Sequence, residues 1–572
     1  MKLYSSPFES NRQIGSVILV SPDSVRINLR SNSVTSTQTF AGYPVLGGLV
    51  GEFVFIECED FAVMGRIVEV KLPENEKPLA EKKAGKPPEL HPVAAIQLLT
   101  SLKLSTGEVV VGLPQYPRIG QRVFSAHPLL VKQVIEGIGE TVEVESSIHL
   151  AEIPQESNTN VNISPEKLFG RHCAILGATG GGKSWTVARV IQEIARCNGK
   201  AILIDPTGEF YTFKDGVYEV SLGGQKNDDQ DTRTFVSFPY WDLTELDLFA
   251  IFQPSGASQA PKLREALTSL KLNYLLNGEN EPFNVVKMNT EKALFNRAWA
   301  QNQAAVEAEG AKYLIKHLPK QIQEECVSDS KYHKGEQDFT HWGGSDERVR
   351  SYCITLVAKI YQIIKSKSLR CIFEPHQYDS LTEHITKFLD SDKKILRISM
   401  QDLPFENNAR EILTNCIGRF LLGLARDNKF KKLPLVVILD EAHQFLNKQI
   451  GDETNSVQLD AFGLIAKEGR KYGLTTVLAT QRPRDIPEDV LSQMGTFIVH
   501  RLINERDRLV VEKACGHLDG SAAAFLPTLG QGEAIIVGVD IPMPSPVKIK
   551  APKWPPNSFG PNYSDYWKPP AK

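Results

Sequence analysis

A parallel α/β sheet, preceded by a small β-barrel and interrupted by a helical insertion, is the fold class that this 572-residue sequence predicts. Three observations predict it. The first 150 or so residues hold β-rich stretches, one with clear period-two alternation; from about residue 168, short apolar runs alternate with helical segments; and between about 241 and 391 strand signals are scarce while apolar residues recur at helical spacing.

In the N-terminal part, Val25-Arg-Ile-Asn-Leu29 alternates apolar and polar side chains, Phe53 to Ile56 and Ile67 to Val70 are β-rich, and Ser105 to Glu108 supplies a turn before Val109 to Val111. Closing these strands into a barrel removes exposed edges. Leu72 to Pro92, rich in Lys, Glu and Pro, reads as a solvated loop within that domain. The parallel sheet then begins with Cys173 to Leu176, a helix from Ser184 to about Cys197, and Ala201 to Ile204. It resumes with Ile395 to Ile398, Leu435 to Leu439, Thr475 to Leu478, Thr496 to Val499 and Ala534 to Val537.

Helical spacing marks Leu263 to Leu276, Ala293 to Ala308, Val349 to Ile364 and Leu381 to Leu389 as the insertion. The tail, Ala551 to Lys572, is rich in Pro and aromatic residues without periodicity and should lie extended over a surface. The division expected is therefore a barrel over 1–150, a first sheet part over 151–240, the insertion over 241–391, a second sheet part over 392–550 and the tail over 551–572.

Composition excludes several classes. With 41% apolar and 23% charged residues, 41 Gly and 34 Pro, the chain is neither disordered nor fibrous. The 65 basic and 68 acidic residues sum to −3, so no net positive field draws it to nucleic acid, and any DNA contact must be local. The eight cysteines form no C-x-x-C pair, which leaves them as reduced, structural thiols. The opening residues lack a signal-peptide core and no run reaches the length of a membrane span, so a cytoplasmic protein with no membrane partner is expected.

Chemistry concentrates at strand ends. Gly177-Ala178-Thr179-Gly180-Gly181-Gly182-Lys183-Ser184 fits G-x-x-x-x-G-K-[ST] between a strand and a helix, with Trp185 next in the helix. Glycines let the backbone approach phosphates, Lys183 can neutralise β and γ oxygens, and Ser184 can ligate Mg²⁺. Leu435 to Leu439 delivers Asp440 and Glu441 at its carboxyl end, a Walker B pattern in which Asp440 holds Mg²⁺ through water and Glu441 polarises the attacking water. Gln481, ending another strand, is a candidate γ-phosphate sensor or an amide bonded to a turn. Asp205, supported by Glu209, either holds Mg²⁺-bound water or the P-loop backbone, or starts an ordinary Asp-Pro turn. Arg470 follows a helix end, where a guanidinium can reach a neighbouring subunit's γ-phosphate or simply face the helix dipole.

Together with Asp205-Pro-Thr-Gly-Glu209, Leu439-Asp-Glu-Ala-His443, Glu468-Gly-Arg-Lys-Tyr-Gly473, Ala479-Thr-Gln-Arg-Pro483, Arg501-Leu-Ile-Asn-Glu-Arg-Asp507 and Leu529-Gly-Gln-Gly-Glu533, the P-loop resembles the HerA branch of the HerA/FtsK translocases. The resemblance implies a RecA-like P-loop ATPase core with an N-terminal HAS-barrel, acting as a homohexameric ring that passes double-stranded DNA through its channel with ATP and Mg²⁺. It also implies Arg470 as a trans-acting finger, with Lys471 or Arg482 as substitutes. A separate effector, a nuclease or a sirtuin-like NADase, would dock on the barrel, in anti-phage defence or, with a NurA-like nuclease, in end resection. Lys448, in the loop-like segment 447–455, and Arg484 are candidate pore residues, whereas the run Lys429 to Lys432 reads as a solvated approach to a strand. Two further readings stand beside the DNA motor: a protein-remodelling ATPase, against which no aromatic pore loop follows Walker B, and an ATP-stabilised scaffold for effector enzymes.

Overall fold

The computed structural model describes residues 3–557 except 4, 31–37, 41–42, 46, 74–90, 138–145, 155, 225–232, 257, 334–335, 447, 451–456, 517 and 519, together with Tyr563 and Trp567. The chain forms two compact units, one of Met1–Gly199 with Thr475–Lys572, the other of Lys200–Leu474.

In the first unit six antiparallel strands close a barrel. Its order runs Ser24–Leu29, Gln13–Val20, Arg122–Ser125, Phe53–Glu57, Phe61–Lys71 and Val93–Lys103, which returns to Ser24–Leu29 through pairs such as Val25 with Ile96. Val109–Val111 adds to Val93–Lys103 outside the ring. Alternation sends Val25, Ile27, Val54, Ile56, Ile67 and Ile96 inward to full burial, while Arg26 and Asn28 face solvent. Most of the expected loop Leu72 to Pro92 lies outside the described residues.

The same unit holds a run of seven strands ordered Glu156–Ile163, Ile148–Ile153, Ser545–Ile549, Glu533–Gly538, Met494–His500, His172–Leu176 and Leu474–Thr480. Only His172–Leu176 with its two neighbours is parallel. The expectation of a parallel strand at Ala534 to Val537 is corrected: Glu533–Gly538 runs antiparallel to Met494–His500. The reason is where it starts. Gly532 donates its N–H to the Gly181 carbonyl at 3.2 Å, so the strand enters beside the carboxyl end of His172–Leu176 and must run back. The tail begins extended, its Lys553 N–H donating to Gln192 of the helix Lys183–Arg196 at 2.8 Å.

In the second unit Leu435–Leu439, Lys200–Asp205, Ile395–Ser399, Val217–Leu222 and Phe235–Val236 are all parallel. The first three are buried along their whole length, which is why they read as unbroken apolar runs. Helices fill the expected insertion, among them Glu245–Phe252, Gln259–Asn277, Lys292–Val306, Glu347–Ile364 and Leu381–Asp390, with one small hairpin of Lys331–His333 and Glu336–Asp338. Segment 447–455, read as a loop, contains the strand Lys448–Ile450, paired with Val457–Leu459; its other residues apart from Lys448–Ile450, and the Lys448 side chain, lie outside the described residues. All eight cysteines are free thiols, and seven are buried.

Candidate functional site

The glycine turn follows from what surrounds it. After the buried strand His172–Leu176, the Gly177 N–H donates to the Thr480 carbonyl at 3.3 Å and the Ala178 N–H to the Arg501 carbonyl at 3.0 Å. A Cβ on Gly177 would stand 2.6 Å from Cβ of His500, so that position has no room for a side chain, and one on Gly182 would stand a tight 3.1 Å from Cα of Gly532. Gly182 also has φ of 113° at the N-cap of the helix Lys183–Arg196, a conformation that favours glycine. The N-cap, Gly182, has no side chain to cap this helix, which favours an anion at its first-turn N–H groups and the positive end of its dipole. Lys183 is buried in that turn, and Ser184 and Trp185 are half-buried. Thr179 and Gly180 are exposed at the tip, where the Thr179 hydroxyl donates to Oε1 of Gln481.

Beneath the turn lies a buried imidazole. Nδ1 of His500 is 2.9 Å from the Glu533 carbonyl, which can only accept, so Nδ1 carries the proton. Nε2 is 2.7 Å from the Thr186 hydroxyl, one turn into the helix. Burial, and next the charge of Lys183, hold His500 down to about 4, so the ring is neutral.

The carboxylates belong to the second unit. Leu439 is level with Ile204, so Asp440 and Asp205 are neighbours at adjacent strand ends, with the Asp440 N–H donating to the Ile204 carbonyl at 3.3 Å. Asp205 is fully buried and accepts from the Gly208 N–H at 2.8 Å, the Phe210 N–H at 3.2 Å and Nε of Arg397 at 2.9 Å. Arg397, itself buried, also bonds Glu219 and the Gly208 carbonyl. Burial pushes the Asp205 carboxyl up, and the Arg397 charge opposes that rise. Glu209 is half-buried in the turn after Asp205. Glu441 is buried at φ of 48°, a left-handed conformation costly for a residue with a Cβ, and its Oε2 is 3.3 Å from Nδ1 of His443.

Arg470 is exposed in the turn Gly469–Tyr472 after the helix Ala461–Glu468 and makes no ion pair with the described residues. Of the other cations, Arg482 stands 3.7 Å from Asp485, and Arg484 reaches Asp485 at 3.7 Å and Asp507 at 4.0 Å.

Within the first unit the structure therefore brings the turn, Lys183, Ser184 and Gln481 together, and within the second it joins Asp205 to Asp440. Sequence reasoning missed His500, Thr186 and Arg397. The signal for Arg397 is a charge inside the otherwise apolar run Ile395-Leu-Arg-Ile398, which requires a buried counter-ion. His500 ends a buried strand, but nothing local indicates which loop it supports.

These residues fit a nucleotide and its cation. Side-chain-free backbone at Gly177 and Gly182, with a glycine as the helix N-cap, suits phosphate, and the Ser184 hydroxyl of the first unit and the Asp440 carboxylate of the second are each a hard oxygen donor of the kind that Mg²⁺ takes.

Residues 148–419 match the family described as "Helicase HerA, central domain", and residues 424–562 match "Helicase HerA-like C-terminal". The DNA double-strand break repair helicase HerA of Pyrococcus furiosus is 25% identical over 450 residues, 76% of this chain and 73% of that protein. Its namesake from Sulfolobus acidocaldarius is 24% identical over 420 residues, 72% of this chain and 71% of that one. VirB4 of Thermoanaerobacter pseudethanolicus aligns at 14% identity over 73% of this chain and 99% of its own, with a TM-score of 0.47. The two family matches together span most of the sequence, and the chain belongs to the HerA helicase family.

Proposed function

We propose that this chain is an ATP-driven translocase that forms a homohexameric ring, moves double-stranded DNA through its channel, and works in the cytoplasm with a separate effector enzyme docked on the barrel. Membership of the HerA family makes it an ATP-hydrolysing helicase or translocase. The observation that carries the nucleotide assignment is the glycine turn, which packs closely on His500 and Gly532 beneath it and leads into a helix whose N-cap is a glycine with no side chain to compete for the first-turn N–H groups. There, Gly177 to Gly182 and the helix N-terminus cradle phosphate, Lys183 neutralises it, and Thr179 holds Gln481 at the tip as a sensor of the γ position.

Ser184 and Asp440 are the residues to hold Mg²⁺, which supplies charge neutralisation on the phosphates. Glu441, set in its unusual backbone conformation, orients the attacking water. Asp205 acts through its loop: with its oxygens engaged by Gly208, Phe210 and Arg397, it fixes the strand end beside Asp440. Arg470, exposed and without a counter-ion among the described residues, serves a neighbouring subunit's phosphate. The effector, a nuclease or a sirtuin-like NADase, would place the assembly in anti-phage defence. Among the described residues no helix is long and apolar enough to cross a membrane.

The test measures mass and ATP turnover with Mg²⁺, with and without duplex DNA. A sixfold subunit mass, turnover stimulated by duplex and affinity falling steeply with salt support the motor. A monomer under those conditions, or hydrolysis coupled to unfolding of a protein substrate, would overturn it.

A further inference from the structure

At its first turn the P-loop helix is tied to the sheet through a side chain that no motif includes. His500 closes the strand Met494–His500, and its ring lies under three glycines of the turn. A Cβ on Gly177 would stand 2.6 Å from its Cβ, one on Gly181 would stand 3.4 Å from the same atom, and one on Gly182 would stand 3.3 Å from its Cε1. Both nitrogens are committed, Nδ1–H to the Glu533 carbonyl at 2.9 Å and Nε2 to the Thr186 hydroxyl at 2.7 Å. That hydroxyl also stands 3.2 Å from the Gly182 carbonyl, the group that accepts the first hydrogen bond of the helix, from the Thr186 N–H at 3.0 Å.

The consequence is geometric. The helix end that faces phosphate is held by its own chain through Gly182 and by the bridge from Thr186 through His500 to Glu533. Glu533 begins the strand whose preceding Gly532 bonds Gly181. The turn is thus held from below by an antiparallel pair of strands, and its glycines are small partly because the imidazole occupies that space.

We propose that His500 is a positioning residue for nucleotide binding, acting through Thr186 to fix the first turn of the P-loop helix against the strand pair Met494–His500 and Glu533–Gly538. It touches no phosphate. Losing the bridge lets the helix N-terminus move, and because hydrogen bonds weaken as their donors fall out of line, its N–H groups then hold phosphate less well, a loss that is read in binding. The inference rests on the P-loop reading, and its test separates the two.

His500→Asn retains a donor for the Glu533 carbonyl but cannot reach Thr186, Thr186→Val removes the hydroxyl at constant size, and Thr186→Ser restores it. Full-length chains are titrated with a fluorescent ADP analogue and assayed for KM and kcat with ATP and Mg²⁺. His500→Asn and Thr186→Val should each raise Kd and KM about tenfold with kcat kept within about threefold, and the double variant should be no worse than either single one. Thr186→Ser should bind within about twofold of the unaltered chain. Equal Kd values in His500→Asn, Thr186→Val and the unaltered chain would overturn the positioning role, as would additive losses in the double variant or a fall in kcat with KM unmoved. An unaltered chain that binds no nucleotide would remove the P-loop reading and this inference with it. If His500→Asn fails to fold, the contrast between Thr186→Val and Thr186→Ser decides.

Discussion

The glycine turn at Gly177–Gly182 and the strand ends at Asp205 and Asp440 solve opposite problems. The turn is made by leaving atoms out: Gly177 has no room for a Cβ, Gly182 holds a left-handed conformation that favours glycine and caps the helix without a side chain, and the supporting ring of His500 is neutral. The strand ends are made by adding charge: two carboxylates stand side by side, and a buried guanidinium balances the one that is completely enclosed. The first region is therefore sensitive to shape and the second to charge balance. A substitution that adds atoms should harm the turn, whereas one that removes a counter-ion should harm the strand ends.

The largest effect is expected at Arg470, an exposed charge that makes no ion pair with the described residues. Arg470→Ala should lower ATP turnover by about 10³-fold or more if the guanidinium stabilises the transition state on a neighbouring subunit. Mixing makes this specific. Adding Lys183→Ala subunits to Arg470→Ala subunits should restore part of the activity, because an intact arginine on one can serve an intact P-loop on the other. Mixed rings that form but stay inactive at every ratio would show that Arg470 does not act in trans.

Arg397 carries the next largest effect, and it appears in stability. Replacing it with Met leaves Asp205 buried without its counter-ion, at a cost of about 3–5 kcal/mol. Urea unfolding should show a lower midpoint, and Glu219→Gln should be much milder because Glu219 is a third exposed. Equal midpoints for Arg397→Met and the unaltered chain would break the contrast between the regions.

The third effect compares the regions directly. Lys183→Ala and Glu441→Gln should each lower turnover by at least about a hundredfold, for different reasons. Without Lys183 the turn loses phosphate neutralisation, so nucleotide affinity falls as well. Glu441→Gln keeps size and binding and loses water activation. Near-normal turnover in Glu441→Gln would remove it from the chemistry.

The same contrast explains what the sequence made legible. The turn announces itself because glycines at fixed spacing before Lys183-Ser184 have few other uses, and Leu435 to Leu439 announces Asp440 because a strand buried on both faces is apolar throughout. The barrel strand Ser24–Leu29 is readable from its alternation. Long-range pairing is not periodic and leaves no such trace. The antiparallel direction of Glu533–Gly538 depends on Gly532 meeting Gly181 across some 350 positions, and the engagement of Asp205 by Arg397 spans 192. His500 is the extreme case, since its meaning comes entirely from Thr186, 314 residues earlier.

The smallest effect tests whether the support under the turn is neutral. An ordinary imidazole titrates near 6.5, but burial and the Lys183 charge hold His500 at about 4. As pH falls through 6.5 the unfolded chain takes up a proton that the folded chain refuses until near 4, so stability is lost across that window as the medium becomes more acidic. Between pH 7 and 5.5 the loss from this one group is about 1 kcal/mol. His127 adds to the slope with the same sign, held down first by burial and then by Arg12, so the unaltered chain alone cannot identify the source. The difference between chains can. His500→Asn has no titrating group at this position, and its urea midpoint should fall less between pH 7 and 5.5 than that of the unaltered chain. Parallel slopes would mean that the imidazole is already solvated or charged in the fold, and the turn would then rest on a charge, as the strand ends do.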